Sequence, residues 1–441
     1  GTTDCLGHVA LMTLFFAALG EQRPALESSI VCLLMAYFDN NATTRPNTEV
    51  QEAFEGALRE SWSNPSSPYR SGAEVRVRLD RARENVARTL QVGEGQVAFT
   101  SGATEANNAV LAHAASFFDS SARVVVSSIE HPSVLEPADH WFSGRALTVP
   151  VEPTGVVDMN RLRALLDEVP EVRLVSLMAA NNETGVLQPW GETASLCRDR
   201  GIHFHCDATQ WVGKFPSSGF SACSSFSASA HKFGGPKGVG ILVSELANPF
   251  ILGGNQENGM RPGTVNIPAM VGFGFAAEMA RKELQEFSEE IQLLRTNFEE
   301  QLQGLEVVQI NAKDQDRIPN TISFSVHNVE GDAFYRRMNR IAISRGSACT
   351  SNIIEASHVL TAMGFEKSLA LATYRVSLGK TTTQQELNLA HENHRCSRTY
   401  RFPGSQAFHQ RMDQSTRHRQ SRQTPAPGRF RRPEVTAQMH L

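Results

Sequence analysis

Ser227-Ala-Ser-Ala-His-Lys-Phe-Gly-Gly-Pro-Lys-Gly238 places a lysine directly behind a histidine and in front of a glycine-rich turn. The run before it, Phe220 to Phe226, is small and apolar and predicts a buried strand. Residues 234–236, Gly-Gly-Pro, force a sharp change of direction after that strand. Lys232 is therefore expected at a strand end in a cramped turn, where burial favours the neutral amine. Such a lysine suits a Schiff base, although a lysine that merely follows a turn gives the same local pattern.

Two upstream segments also place polar residues where predicted strands end. Asp207 and Gln210 follow the apolar run Ile202 to Cys206. The strand pattern of residues 96–100 leads through a Gly turn into a helix that begins near Ala103. The free N–H groups of that helix start, together with a Thr hydroxyl, suit a phosphate, although Thr104 alone would also serve as a cap. Strands that alternate with helices and end in polar residues predict an open α/β sheet with its ligand at the carboxyl edge.

In this order the three segments resemble the pyridoxal-phosphate (PLP) enzymes of the class V aminotransferase group, and within it the cysteine desulfurases of NifS/IscS type. The resemblance runs from about Tyr37 to about Ala390. It implies the PLP-dependent transferase fold type I, with a mostly parallel seven-stranded sheet flanked by helices in a large domain, and a smaller α+β C-terminal domain. We expect the large domain at 51–290 and the small domain at 37–50 and 291–391.

The resemblance also implies which residues hold PLP. They are Ala103, Thr104, Asn182, Asp207, Gln210, Ser229, His231, Lys232 and Thr264. Lys232 would carry the cofactor, and Asp207 would keep its pyridine nitrogen protonated so that the ring accepts electrons. Gln210 would contact the phenolic oxygen, and Ser229 with His231 would complete the phosphate cup. Thr264, in a Gly-rich loop, would reach the phosphate of a partner subunit, which implies a homodimer; a solvated surface loop is the alternative.

The remaining chemistry falls to four residues of the same pattern. His131, held before Pro132 at a strand end, would stack on the cofactor ring and move protons, although an ordinary turn histidine looks the same. Asn182 and Arg375 would bind the substrate carboxylate, the arginine by a bidentate contact. Cys349 lies in Gly346 to Ser351, a Gly/Ser/Thr-rich loop that matches the nucleophilic cysteine segment of the desulfurases.

These assignments predict a cysteine desulfurase that removes sulfur from L-cysteine, gives L-alanine and carries the sulfur as a persulfide on Cys349. The acceptor would be a protein such as an iron–sulfur scaffold, with Cys349 as a potential cluster contact, or a tRNA-thiolation partner. A selenocysteine lyase or a plain class V aminotransferase shares every PLP residue and stays open as an alternative. So does a catalytically inactive homologue that serves as a binding scaffold.

Composition limits the other classes of function. The 441 residues are 41% hydrophobic with a net charge of −4, so nothing global favours nucleic acid or a membrane. Seven cysteines without a repeating spacing argue for a reducing, cytoplasmic setting. The residues that could be mistaken for metal ligands are Cys197, His203, His205 and Cys206, but strand alternation sends the two histidines to one face and Cys206 to the other. We therefore expect no metal site.

Neither end of the chain resembles the family. Residues 1–34 include an apolar run, Val9 to Leu19, that lacks a preceding basic residue; we interpret them as an upstream extension before Met35, with a cleaved signal as the alternative. From 394 to 441 there are ten Arg, no Lys and two acidic residues. We expect 392–441 to be a disordered Arg-rich tail, through a replaced or frame-shifted terminus; nucleic-acid binding by this tail is the alternative.

Overall fold

The structure is a computed structural model of the chain and describes residues 36–245, 251–338, 341–345 and 355–388. The predicted extension (1–34), the predicted tail (392–441) and Cys349 with its loop lie outside these residues. Among the described residues, no helix combines the length and the apolar character needed to cross a bilayer.

The strands follow one another along the chain in short segments. They are β1 (Ala36–Tyr37), β2 (Val97–Thr100), β3 (Arg123–Ser127), β4 (Ala146–Val149), β5 (Val172–Ser176), β6 (His203–Asp207), β7 (Ser225–Ser229), β8 (Gly240–Ser244), β9 (Val308–Ile310), β10 (Thr321–Val326), β11 (Ile341–Ala342), β12 (Ser344–Arg345) and β13 (Thr373–Ser377). The helices are α1 (Thr48–Glu60), α2 (Arg70–Leu90), α3 (Ala103–Phe117), α4 (Pro132–Trp141), α5 (Met159–Glu168), α6 (Trp190–Asp199), α7 (Ile267–Gln303), α8 (Gly331–Arg337), α9 (His358–Ala362) and α10 (Lys367–Leu371).

The central sheet has seven strands in the order β2-β8-β7-β6-β5-β3-β4. Strand β8 is antiparallel to both of its neighbours, β2 and β7, and every other adjacent pair is parallel. The predicted mostly parallel seven-stranded sheet is therefore confirmed. Because β8 alone reverses direction, β2, β3, β5, β6 and β7 all end at one edge, and the residues that follow them meet there.

Two strand predictions need correction. Phe220 does not begin a strand: it lies in a 3₁₀ turn, and its ring stacks on Trp190 at a centroid distance of 4.4 Å. The strand is β7, whose serines are buried because their hydroxyls find hydrogen-bond partners. The alternation of residues 321–326 predicts a half-buried strand, but β10 is buried on both faces, because its polar side chains have hydrogen-bond partners, for example Ser323 with Asn311 (3.1 Å).

Two hydrophobic cores lie along the long helix α7. Its first turns, around Phe273, pack against the core of the central sheet. Its later turns, around Phe298, pack against a second core beneath the antiparallel sheet β12-β13-β10-β9. A continuous helix that joins both cores fixes how the edge of the central sheet faces β10 and β13. The domain boundaries given above stay a prediction.

Candidate active site

Lys232 lies in the short turn that follows β7. The turn is tight, because a Cβ on Gly235 would lie 2.6 Å from the Cβ of Ala230. The Lys232 amine donates a hydrogen bond to the Asn41 carbonyl (2.7 Å) and another to the next carbonyl of the chain (3.1 Å). Burial, and then the nearby Arg375 guanidinium, lower the pKa of Lys232 to about 8. This amine therefore loses its proton close to neutral pH, as covalent attachment to an aldehyde requires.

A cavity of about 380 Å³ opens at the amino-terminal end of α3. Its lining includes four residues predicted to hold PLP, namely Ala103, Thr104, Ser229 and His231. The Ser229 hydroxyl accepts a hydrogen bond from the Ala103 amide (2.8 Å), and the His231 Nδ1 atom is buried without a partner among the described residues. Burial first, and then Lys232, lower the pKa of His231 to about 4. A helix start beside hydroxyls and an unpaired ring nitrogen has the donors that a phosphate group needs.

Asp207 is buried at the end of β6, at the same sheet edge. Its Oδ1 accepts a hydrogen bond from the Thr209 amide, and its Oδ2 accepts one from Asn107 Nδ2, both at 2.9 Å. Asn107, on α3, is completely buried and also donates to the Ser133 hydroxyl (3.0 Å). The sequence analysis assigns no role to Asn107. Its polar side chain on the buried face of that helix was the available signal.

His131 forms the amino-terminal cap of α4, with Pro132 at the first helical position. Its Nδ1 accepts a hydrogen bond from the Ser133 amide (3.1 Å) and lies 2.9 Å from the Ser133 hydroxyl. Burial lowers the pKa of His131; the charge of Lys232 acts in the same direction and that of Asp207 in the opposite one. The residue still keeps exposed surface at this cap position, where a ligand can contact it.

Gln210 is buried and uses both ends of its amide. Its Nε2 donates to the Asn41 carbonyl (3.1 Å), the acceptor that Lys232 also uses, and its Oε1 accepts from Lys214 Nζ (2.6 Å). Lys214 is itself buried, and burial lowers its pKa well below the usual range. The sequence reasoning missed both neighbours of Gln210. Lys214 could have been found by its spacing, four residues further on, whereas Asn41 is distant in sequence.

The structure brings Arg375 and Asn182 together through the backbone carbonyl of Asn182. Arg375 lies on β13 and donates from Nη1 to the Asn182 carbonyl (2.8 Å) and from Nη2 to Asp39 Oδ1 (2.6 Å). The arginine is buried, and its Nε has no partner among the described residues. Asp39 was missed, because 336 residues separate it from Arg375 and no local pattern links them.

Thr264 does not join this group of residues. It is exposed just before α7 and is not part of the cavity lining. Its Gly-rich loop is held by Glu257, which forms two hydrogen bonds to Arg83 (2.7 and 2.8 Å), and by the pair between Arg261 and Glu105 (3.0 Å). The predicted nucleophile Cys349 lies outside the described residues.

The histidines of β6 confirm the predicted alternation. His203 and His205 both contact the Ser225 hydroxyl, at 2.8 and 2.9 Å, whereas Cys206 belongs to the hydrophobic core. Within the described ranges no group of three or more His, Cys, Asp or Glu side chains is arranged to hold a metal ion.

Comparison with known proteins finds many relatives of this chain. The model of the family "Aminotransferase class-V" matches residues 36–389. The chain is 37% identical to the cysteine desulfurase IscS of Dictyoglomus turgidum over 363 residues, which covers 80% of this chain and 91% of the relative. It is 36% identical to the cysteine desulfurase NifS of Azotobacter vinelandii, with 80% and 90% covered. A solved structure described as a NifS-like protein superposes with a TM-score of 0.75 at 36% identity, covering 81% of this chain and 98% of that one.

Proposed function

Because this chain belongs to the class V aminotransferase family, we propose that it is a PLP-dependent cysteine desulfurase, which converts L-cysteine to L-alanine and keeps the sulfur as a persulfide on Cys349. One observation carries the assignment to this site. The Lys232 amine, with its pKa lowered to about 8, lies at the sheet edge that also holds Asp207 and the α3 cavity.

The residues present fit PLP. The helix start at Ala103, the Ser229 hydroxyl and the unpaired His231 nitrogen would hold its phosphate. Lys232 would hold its aldehyde carbon, and Asp207 its ring nitrogen. When bound, PLP supplies a protonated ring that accepts the electron pair left when a bond to the substrate α-carbon breaks.

Lys232 would act as the base of the reaction. Once the substrate amine has replaced it, its Nζ is free to take the proton from the substrate α-carbon. A pKa of about 8 allows the same atom to hold that proton and return it near neutral pH. His131, which keeps exposed surface and is electrostatically coupled to both Lys232 and Asp207, would serve as a second proton carrier.

Arg375 and Asn182 would orient the substrate. In this structure Arg375 is paired with Asp39, so a substrate carboxylate would replace Asp39 or share the guanidinium with it. Fixing the carboxylate would determine which bond to the substrate α-carbon breaks, and such positioning lowers the entropic part of the barrier. The Gln210 amide, held by Lys214, would contact the phenolic oxygen of the cofactor.

Cys349 would collect the sulfur. Its thiolate forms an S–S bond with the sulfur of the bound cysteine while the carbon–sulfur bond of the substrate breaks. The electron pair of that bond stays with the amino acid, which takes up protons and leaves as alanine. A second protein, for example an iron–sulfur scaffold or a tRNA-thiolation partner, would then receive the sulfur from the persulfide.

A homodimer would complete the enzyme. Four large side chains of α1, α2 and the segment between them are exposed: Leu58 (61%), Trp62 (81%), Tyr69 (51%) and Val77 (67%). Leu58 continues the apolar helical periodicity of Val50, Phe54 and Ala57, and its exposure supports contact with a second copy. Thr264, which is absent from the cavity of its own subunit, would then donate to the phosphate of the partner's cofactor. We place the enzyme in the cytoplasm, in keeping with the free thiols of Cys197, Cys206 and Cys223.

The deciding experiment incubates the purified, PLP-loaded protein with L-cysteine and a reductant and measures sulfide and alanine together. Equal yields of the two support a desulfurase. A keto acid would indicate an aminotransferase, and turnover of selenocysteine alone would indicate a selenocysteine lyase. Protein that shows no yellow colour and no bleaching by borohydride would favour an inactive scaffold.

Cys349→Ser is the matched variant. We expect it to keep the bound cofactor and its colour but to release no sulfide from cysteine, because the attacking sulfur is missing. Persulfide formation at the wild-type rate in this variant would contradict the assignment of the nucleophile.

A further inference from the structure

Strands β6 and β7 turn a polar surface towards α3. The alternate residues that form it are His203, His205 and Asp207 on β6 and Ser225, Ser227 and Ser229 on β7. All six are buried, and the register places His205 opposite Ser225 and Asp207 opposite Ser227. A parallel strand covered on both faces is normally apolar throughout. Hydrophobic packing therefore does not explain why this surface of β6 and β7 is polar.

The hydrogen bonds fix the orientation of Asn107 at the centre of this surface. The Asn107 amide nitrogen donates to Asp207 Oδ2 at 2.9 Å and to the Ser133 hydroxyl at 3.0 Å. The amide oxygen then faces Ser227 Oγ at 2.6 Å and His205 Nε2 at 2.9 Å. Both of these groups must therefore be donors.

The proton positions of the two histidines follow from that orientation. Burial lowers the pKa of His205 to about 4, so its ring is neutral and carries its one proton on Nε2, towards Asn107. The bare Nδ1 must then accept from the Ser225 hydroxyl at 2.9 Å. With its hydrogen used, that hydroxyl must accept from His203 Nε2 at 2.8 Å. Every bond of the chain thus points the same way.

We infer that His205 is a positioning residue, which acts through Asn107 to hold Asp207 as an oriented hydrogen-bond acceptor for the cofactor ring. The chain that runs His203, Ser225, His205, Asn107, Asp207 delivers only donors to the carboxylate. Asp207 therefore stays the acceptor, with one oxygen held by α3 and the other by the Thr209 amide. Aligned hydrogen bonds strengthen one another in a buried chain. This inference rests on the proposed role of Asp207.

Two substitutions at His205 distinguish the loss of its hydrogen-bond donor from a change in side-chain volume. His205→Gln keeps an N–H group near the place of Nε2, whereas His205→Leu removes it and leaves the Asn107 oxygen one donor short. We expect His205→Leu to weaken PLP binding about tenfold, the loss typical of a buried hydrogen-bond partner, and His205→Gln to stay within about threefold of wild type. PLP affinity is measured by reconstitution of the cofactor-free full chain, and the pH dependence of the bound cofactor's absorbance is recorded in parallel.

His113→Leu controls for the loss of a buried histidine of α3: His113 forms none of the hydrogen bonds of the chain, and acts on it only by lowering the pKa of His203. Equal losses of PLP affinity in His113→Leu and His205→Leu would overturn the inference, and so would a failure of His205→Gln to rescue binding.

A measurement on the wild-type full chain does not depend on whether a variant folds. The ¹⁵N shifts of labelled histidine should show His205 protonated at Nε2. A proton on Nδ1 would overturn the inference. If Asp207→Asn keeps the wild-type PLP affinity, both this inference and the proposed role of Asp207 are wrong. If Asp207→Asn loses PLP affinity but His205→Leu does not, only the inference is wrong.

Discussion

The lowered pKa of Lys232 predicts a pH-dependent difference in stability between the cofactor-free protein and its Lys232→Met variant. The folded protein binds this proton with a pKa of about 8, against 10.5 for an ordinary lysine, chiefly because the amine is buried. Between these two pH values the unfolded chain therefore binds more protons than the folded one. The free energy of unfolding of the wild type must then rise with pH through this window.

The difference between the two pKa values of Lys232 sets the size of the change in unfolding free energy. At 1.36 kcal/mol for each unit of pKa, wild type gains about 3 kcal/mol of unfolding free energy relative to Lys232→Met between pH 7 and pH 11. The two hydrogen bonds to backbone carbonyls add an offset between the proteins but do not produce this slope by themselves. Titrating groups that the Lys232 charge does not influence cancel, because only the difference between the two proteins is used; Lys214, His131 and His231, whose pKa values that charge lowers, also contribute to the difference.

Urea unfolding of both cofactor-free proteins at several pH values between 7 and 11 measures this difference. Lys237→Met, which removes an exposed lysine from the following turn, controls for the loss of one positive charge in the region. A constant difference between wild type and Lys232→Met across the whole range would refute the argument. It would show that the folded protein does not favour the neutral amine, and the case for Lys232 as the base near neutral pH would fail with it.

Three further perturbations follow from buried contacts. Glu299→Gln leaves the buried Arg317 guanidinium without its bidentate partner (2.7 and 3.1 Å), and should lower the free energy of unfolding by about 3–5 kcal/mol in urea titrations. Gly235→Ala places a Cβ 2.6 Å from that of Ala230, so it should displace the Lys232 turn and abolish the visible absorbance of bound PLP. Burial raises the pKa of Glu183 from 4.5 to about 7, so the folded state binds more protons than the unfolded state between these two pH values. The free energy of unfolding should therefore fall by about 3 kcal/mol as the pH rises from 4.5 to 7, and Glu183→Gln should remove this decrease.

Each of these perturbations has a control within the chain. Replacing Glu299 and Arg317 together by Met and Leu should recover most of the lost stability, and no recovery would contradict the charge argument. Gly56→Ala, where an added Cβ meets nothing within 4 Å in helix α1, should leave PLP binding intact. If the stability of Glu183→Gln still declined between pH 4.5 and 7 as that of the wild type does, another group would be titrating in this range.

Local patterns were enough for much of the fold. A strand pattern followed by a Gly turn located β2 and α3, and the Gly-Gly-Pro run located the turn that presents Lys232. Both are short-range effects, since a glycine or proline restricts its immediate neighbours wherever the rest of the chain lies. The same reasoning misplaced the strand before Lys232, because Phe220 is drawn into an aromatic cluster with Trp190 and the buried strand consists of serines instead.

What the amino-acid sequence determined by itself was the order of strands and helices, the turns at the carboxyl edge and the kinds of side chain placed there. Only the tertiary structure decided how those side chains are paired: Asp39 with Arg375 across 336 residues, the Asn41 carbonyl beneath both Lys232 and Gln210, and His205 behind Asp207 through Asn107. Propensity and periodicity act over a few residues, whereas the charge state and orientation of a buried polar group depend on whichever distant segment folds against it. The sequence therefore shows which types of residue lie at this site but not which of them pair with one another.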